Sequence, residues 1–396
     1  VGTLHIRPVL NMKSDEDIKN MKSISQEAFE MVKNYKGSHS GEHGDGIVRS
    51  EFHEMMFGKK IINAFEEIKD IFDNKNLLNP GKIVRPYKSN DRSLMRYKSG
   101  YQANNINTHY DWSNWGQFSD AVEMCNNNGA CRKLDSGVMC PSYRVTKEEK
   151  DLVRGRANTL RLALSNQLPE GSFASKDMYE TMELCVSCKA CQRECPMSVD
   201  MAKMKSEFLS HYYKKFSMPI KDRVISDMPR LIWLLKIIAP IFNKVKNLPL
   251  ISTIVNKFGF ATERKMPEVQ SQDALKEIYN SQPVSENKVI LFADTFNINF
   301  ENKNLIYSIK VLNKFGYQAI IPSYGKDNLS RPLCCGRTYI SYGQLDKAAS
   351  ELNRFNDYIL ENNYYDLPVV GIEPSCLLTF NDEYLSLKNI NNREKI

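Results

Sequence analysis

Cys185-Val186-Ser187-Cys188-Lys189-Ala190-Cys191-Gln192-Arg193-Glu194-Cys195-Pro196 spaces its cysteines by two, two and three residues and sets a proline directly after the last. That spacing wraps three thiolates around one face of a cubane iron–sulfur cluster and sends the fourth toward a neighbouring cluster. Zinc prefers two Cys-x2-Cys knuckles held apart by a longer loop, so the run reads as 4Fe-4S. Residues 118–215 are therefore expected to form a helical, ferredoxin-like domain, with Arg154, Arg156 and Arg161 on a helix near 147–167.

Upstream, Cys125-x5-Cys131-x8-Cys140-Pro141 reads as the same motif stretched, with Asn128 where another ligand would fall. In a crossed arrangement Cys140 completes the cluster of Cys185, Cys188 and Cys191, while Cys195 joins Cys125 and Cys131 on a second cluster. Three thiolates suit a three-iron form, or a four-iron form with one ligand other than cysteine. The plain alternative for Cys125 or Cys131 alone is a buried thiol.

The remaining cysteines are Cys334, Cys335 and Cys376, giving ten in 396 residues, clustered at ligand spacing and too few for a disulfide scaffold. Their surroundings alternate: strand Val289-Ile290-Leu291-Phe292-Ala293, helix 304–315, strand Gln318-Ala319-Ile320-Ile321, the Cys334-Cys335-Gly336 loop, helix 343–362, strand Val369-Val370-Gly371-Ile372. Such alternation predicts a parallel α/β layer. Ligands collect outside the carboxyl ends of its strands, where these cysteines would converge on a metal or redox group, against the alternative of a structural loop. Between the cysteine regions, 217–286 is read as short or kinked helices around four prolines. Its Leu231, Ile232, Leu234, Leu235 and Ile238 either pack beneath the clusters or lie on a membrane surface.

At the other end, Gly2 to Leu10 alternates like a strand. Ser14 caps a helix with Ile18, Met21, Ile24, Ala28, Val32 and Tyr35 on one face. The loop Gly41-Glu42-His43-Gly44-Asp45-Gly46 follows, then a helix bearing Ile61, Ile62, Phe65, Ile68 and Phe72. Four of the six histidines (His5, His39, His43, His53) fall in this part. His5, Glu42 and His43 are the residue types that hold a divalent metal and deprotonate a hydroxyl, although a lone histidine or a glycine-rich turn is commonly only structural. Residues 91–117 lack periodicity and read as a linker.

Overall composition excludes other classes. A 42% hydrophobic content supports cores, and 54 basic against 47 acidic residues leave +7, far short of a nucleic-acid-binding charge. The longest apolar stretch, Leu231 to Ala239, is broken by Lys236 and is too short to cross a bilayer.

Two groups of motifs carry a resemblance. Gly2-Thr3-Leu4-His5-Ile6-Arg7-Pro8, Gly41 to Gly46 and Leu78-Asn79-Pro80-Gly81-Lys82 look like the C-terminal half of the FAD-linked oxidase cap domain of D-lactate and D-2-hydroxyglutarate dehydrogenases. Cys334-Cys335-Gly336-Arg337 and Glu373-Pro374-Ser375-Cys376 resemble one repeat of the cysteine-rich domain named for Cys-Cys-Gly, with Asp294-Thr295-Phe296 where that family has a further cysteine. The whole order resembles the fused bacterial FAD/iron–sulfur D-2-hydroxyacid dehydrogenases.

The resemblance implies a multidomain α+β and α/β chain: the end of the cap (1–90), a linker (91–117), the ferredoxin-type domain (118–215), a helical connector (216–286) and an incomplete Cys-Cys-Gly domain (287–396). It implies an internal fragment, inactive alone, preceded by the FAD-binding domain and by the first histidine of a His-x6-His pair. His5 would be the second histidine and Glu42 the next ligand of a zinc-like metal. His43 would be the base, Arg7 the partner of the substrate carboxylate, and Asn79 and Lys82 would lie on the cofactor side. Arg7 read alone is as readily a surface ion-pair residue. The implied substrate is a small 2-hydroxyacid, with electrons leaving to a quinone or redox protein from a cytoplasmic location, in one version at the inner membrane face. The rival is a non-catalytic iron–sulfur electron-transfer subunit. A third reading is a zinc-stabilised interaction protein.

Overall fold

The computed structural model describes residues 3–235, 238–246, 248–261, 263, 265–322 and 331–395. The chain divides after Gln102 into two compact units, taken separately below.

In the first unit, Ser14 is extended and its hydroxyl accepts from the Asp17 N–H, opening helix Asp15–Asn34. Asp15, Glu16 and Asp17 sit in its first turn, where the helix dipole favours acids. Phe29 on this helix packs edge-on against Phe52, 5.0 Å between ring centroids, and Lys22 pairs with Glu51 at 2.6 Å. Helix Lys59–Phe72 buries none of its residues; Phe65, Ile68 and Phe72 instead wall an open cleft. The expected opening strand is corrected: Gly2 lies outside the described residues, and residues 3–11 carry no strand, with Leu4, Ile6 and Val9 exposed. Alternation supplies one face, but a strand exists only when a neighbour takes its backbone hydrogen bonds.

The second unit has a continuous core. Phe118, Val122, Leu160, Leu164, Met178, Met182 and Phe208 come from four helices (Phe118–Glu123, Val153–Leu164, Lys176–Glu183, Met201–Lys215), and Tyr339, Leu345, Leu352 and Leu387 from the C-terminal part join them. The expected helix near 147–167 spans only Val153–Leu164, because Lys147 takes a left-handed conformation and a 3-10 turn, Glu149–Asp151, intervenes. The stretch read as a linker is packed at its end: Tyr110 is fully buried.

A three-stranded parallel sheet has the order β2-β1-β3, with β1 Lys288–Phe292, β2 Gln318–Ile320 and β3 Val369–Gly371. The register pairs Lys288 with Gln318 and Ile290 with Val369. Leu291 packs on one face with Leu305 and Ile309, while Ile290 and Phe292 pack on the other with Phe355 and Ile359. Both faces of β1 are covered, as a parallel layer requires. In the connector, Pro219 caps helix Ile220–Ser226, and Pro229, Pro240 and Pro249 sit at the openings of helices Met228–Leu235, Ala239–Val245 and Pro249–Lys257. Proline starts these helices instead of kinking them, since its missing N–H has no intrahelical partner to lose there. Ile232 is buried, whereas Leu231 and Ile238 are exposed; the side chains of Leu234 and Leu235 lie outside those described. No helix among the described residues is long and apolar enough to cross a membrane.

Candidate functional site

Cys140, Cys185, Cys188 and Cys191 line one cavity, together with Ser142, Arg156, Lys189 and Met201. The backbone is bent to place them: Cys140, Ser187 and Lys189 all have φ between 52° and 60°. Left-handed geometry is costly for residues with a side chain, and its persistence here marks a loop shaped around something. The Val153 N–H donates to Cys140 Sγ at 3.3 Å, and the Met201 N–H supports Cys191. Burial pushes both thiols up to about 12, so any metal they bind must expel their protons. Lys205, nine-tenths buried, donates to the carbonyls of Glu183 (3.0 Å) and Cys185 (2.6 Å) and pins the start of the loop. Arg156 is 2% exposed, tied to the Thr181 carbonyl at 2.9 Å and Ser142 Oγ at 3.2 Å with the buried Asp151 carboxylate at 3.8 Å, and fixes a guanidinium beside the cavity. Four sulfur donors, N–H groups aimed at sulfur and a buried cation fit an anionic iron–sulfur cluster.

Cys125 and Cys131 are buried and close enough to interact, and Cys131 also influences Cys140. Burial raises the Cys131 thiol. Asn128 is exposed and tied within its own loop, accepting from the Ala130 N–H and donating to Asn126, which leaves it poorly placed to replace a ligand. Cys195 ends helix Ala190–Glu194 and is half-buried against the same core.

The C-terminal cysteines converge. The Cys335 thiol contacts both Cys334 and Cys376, and all three are buried; the contact with Cys335 and burial raise Cys334, while Cys335 is lowered by Cys334 but raised on balance by Cys376 and burial. Cys334 and Cys335 follow β2, and Cys376 lies on helix Pro374–Phe380 just after β3. Gly336 needs its hydrogen: it is left-handed (φ 78°), and a Cβ there would lie 3.2 Å from the Ala348 backbone. Asp294, after β1, is spent as a helix cap, accepting from the Phe296 and Asn297 N–H groups. An ion-pair chain joins this site to the first: Lys189 reaches Glu383 at 2.6 Å, Glu383 takes both Arg337 guanidinium nitrogens (2.5 and 2.9 Å), and the Arg337 N–H donates to Cys335 Sγ. Sequence spacing gave no signal for these partners, which lie far apart along the chain.

In the first unit, His5 Nε2 sits 3.1 Å from Glu42 Oε1, and the His5 and His43 rings meet edge-on at 6.0 Å. One ligand atom from each of the three lies within 4.8 Å of the others. Gly41 makes the approach possible, because a Cβ there would fall 2.6 Å from Thr3 Oγ1 on the segment that carries His5. The Ser40 hydroxyl donates to the His43 carbonyl and holds the loop closed. Two imidazoles and a carboxylate, half open to solvent, fit a zinc-like divalent ion with a free position. Arg7 is exposed with no ion pair among the described residues. Asn79 and Lys82, 3.4 Å apart, line the cleft whose other wall includes Gly44, Asp45 and Gly46.

Residues 1–83 match the C-terminal domain of FAD-linked oxidases, and residues 121–199 match the 4Fe-4S dicluster domain. The chain is 27% identical to a D-2-hydroxyglutarate dehydrogenase of Pantoea ananatis, covering 97% of this chain and 41% of that protein. It is 26% identical to the D-2-hydroxyglutarate dehydrogenase of Haemophilus influenzae, covering 97% and 40%. A stretch of 82 residues is 32% identical to the glycolate oxidase subunit GlcD of Bacillus subtilis, over 21% of this chain and 17% of that one. The chain thus spans about two fifths of the length of the D-2-hydroxyglutarate dehydrogenases it matches. No solved structure matches.

Proposed function

We infer that a chain related along 97% of its length to D-2-hydroxyglutarate dehydrogenases supplies two parts of such an enzyme: the loop that deprotonates the substrate and the route by which electrons leave. The observation that carries this reading is the gathering of His5, Glu42 and His43 at one point, since a pure electron-transfer scaffold has no use for a base beside a metal ligand. His5 and Glu42 would hold the divalent ion, His43 would take the hydroxyl proton on its free ring nitrogen, and Arg7 would pair with the substrate carboxylate. When bound, the divalent ion would draw charge from the substrate oxygen, and flavin would accept the C2 hydrogen with its electron pair. Asn79 and Lys82 are assigned to the cofactor side of the cleft.

Cys140, Cys185, Cys188 and Cys191 are proposed to hold the four-iron cluster, with Cys125, Cys131 and Cys195 on a second. Cys334, Cys335 and Cys376 are proposed as a further metal or redox site. D-2-hydroxyglutarate is the first candidate substrate and D-lactate the second, with a quinone or redox protein as acceptor in the cytoplasm. Exposed Leu231, Ile238, Ile241 and Leu250 beside Lys244 and Lys257 support peripheral contact with a membrane face.

The test is steady-state reduction of an artificial acceptor by D-2-hydroxyacids in the flavin-loaded enzyme. His43→Gln should keep flavin and iron while lowering turnover roughly 10²- to 10⁴-fold. Glu42→Gln should lower divalent-metal content and weaken substrate binding. Near wild-type turnover in His43→Gln would return the lead to the electron-transfer reading.

A further inference from the structure

We propose that His39, Asp45 and His53 form a second divalent-cation site, buried beneath the glycine-rich loop and separate from His5, Glu42 and His43. One ligand atom from each lies within 4.8 Å of the others.

The hydrogen-bond inventory calls for a cation there. His53 is 2% exposed, its Nδ1 facing the Ile83 carbonyl at 3.3 Å and its Nε2 facing Asp45 Oδ2 at 3.0 Å. Both partners are acceptors, and a neutral imidazole has a single N–H. Whichever nitrogen lacks the hydrogen presents a lone pair to another lone pair, unless a positive ion lies between. Donation from Nδ1 to Ile83, with Nε2 left for a metal, is how metal-binding histidines are usually oriented.

His39 separates the metal from a proton. It is 8% exposed, and neither ring nitrogen makes a well-formed hydrogen bond, the Arg49 backbone being its one polar backbone neighbour among the described residues. A proton on His53 would satisfy His53 and Asp45 yet leave the buried His39 ring without a full hydrogen bond. A metal ion uses all three. The shell around them is apolar: Phe29 packs on His39 at 5.3 Å, and Phe57 packs on His39 at 5.7 Å and on His53 at 5.5 Å. Arg49 is near enough to act on His39, but its guanidinium donates to the Gly44 carbonyl at 3.4 Å.

Two imidazoles and a carboxylate, with a fourth position for water, suit a zinc-class ion. Asp45 lies two residues past His43, and His53 opens helix His53–Phe57. The ion would therefore tie the loop bearing Glu42 and His43 to the body of the unit. These are positioning residues, and none touches substrate.

The experiment counts zinc by elemental analysis in the whole chain, purified with its iron sites saturated so that the cysteines hold no zinc, and follows thermal unfolding with and without added zinc. Glu42→Gln, which removes a ligand of the exposed site alone, should retain about one zinc per chain. Adding His39→Phe should remove it and abolish the rise in Tm on adding zinc. Phenylalanine suits the pocket of Phe29 and Phe57, so unchanged zinc with an equal or higher Tm would overturn the proposal and leave His39 as aromatic packing. Zinc-free Glu42→Gln would overturn it as well. Zinc unchanged by Glu42→Gln but lost on His39→Phe would uphold the buried site while contradicting the proposed substrate metal. Asp45→Asn, at the half-buried rim, gives the same readout should the His39 variant fail to fold.

Discussion

Replacing Glu207 with glutamine should weaken the cluster-bearing unit by about 3 kcal/mol wherever the carboxylate is ionised, most of all at mildly acid pH, and by much less as pH falls toward 2. The Glu207 side chain is fully buried on helix Met201–Lys215, the helix whose first residues line the cluster cavity. Its carboxylate accepts from the His109 N–H (3.0 and 3.1 Å), the His109 ring (3.2 Å) and the Tyr110 N–H (3.0 Å). Burial alone would raise its pKa, but these donors and His211 win and hold it at about 2, against an ordinary 4.5. At about 1.4 kcal/mol per unit, that difference gives the ~3 kcal/mol stated, within the range seen when a buried pair loses one partner.

The sign follows from both groups. Glu207 is depressed, so its contribution is present above 4.5 and is lost as pH falls toward 2. His109 is raised, chiefly by its bond to Glu207, so its contribution is full below 6.5 and fades as pH rises through its elevated value. The gap in Tm between wild type and Glu207→Gln should therefore peak between pH 4.5 and 6.5, at on the order of 5–10 °C. Circular dichroism melts across that range check it. A gap near zero at pH 5.5, or one undiminished as pH falls to about 2, would refute the reasoning.

Other perturbations are more local. Cys140→Ser should lose most of the four-iron signal and acid-labile sulfide while Cys334→Ser keeps both; full iron in Cys140→Ser would show that Cys140 is not a ligand. Gly41→Ala would drive a Cβ to 2.6 Å from Thr3 Oγ1; a displacement costing about 1–3 kcal/mol should lower kcat/KM roughly 10- to 100-fold at unchanged iron, and Thr3→Gly in the same chain should restore part of it. Glu383→Gln removes the shared negative partner of Lys189 and Arg337, and should shift the cluster's midpoint potential upward in a redox titration followed by electron paramagnetic resonance, a change that Glu207→Gln should not make.

What the sequence disclosed follows from where the constraints lie. Cysteine spacing is local and covalent, so the set Cys185, Cys188 and Cys191 was readable before any coordinates, as were the alternating strands and helices of the parallel sheet; Cys140, well upstream of them, was expected beside them only on the crossed reading, and it lines the same cavity. The Glu207 and Glu383 contacts were not, because His109 and Tyr110, Arg337 and Lys189 come from distant parts of the chain and an isolated Glu carries no address. His39 and His53 were visible only as part of a histidine-rich start; their meaning depends on the Ile83 carbonyl, a backbone atom that no side-chain pattern reports. The opening segment misled for the opposite reason: its alternation is real, but a strand needs a neighbour.

The most direct test of the central claim is an anaerobic single turnover in the flavin-loaded enzyme, mixing it with D-2-hydroxyglutarate and following flavin absorbance and the reduced-cluster resonance together. The account predicts flavin bleaching followed by the cluster signal, both slowed alike in His43→Gln, with bleaching kept but the cluster signal lost in Cys140→Ser. A cluster that stays oxidised while flavin is fully reduced in the wild-type enzyme, or His43→Gln kinetics equal to wild type, would contradict it.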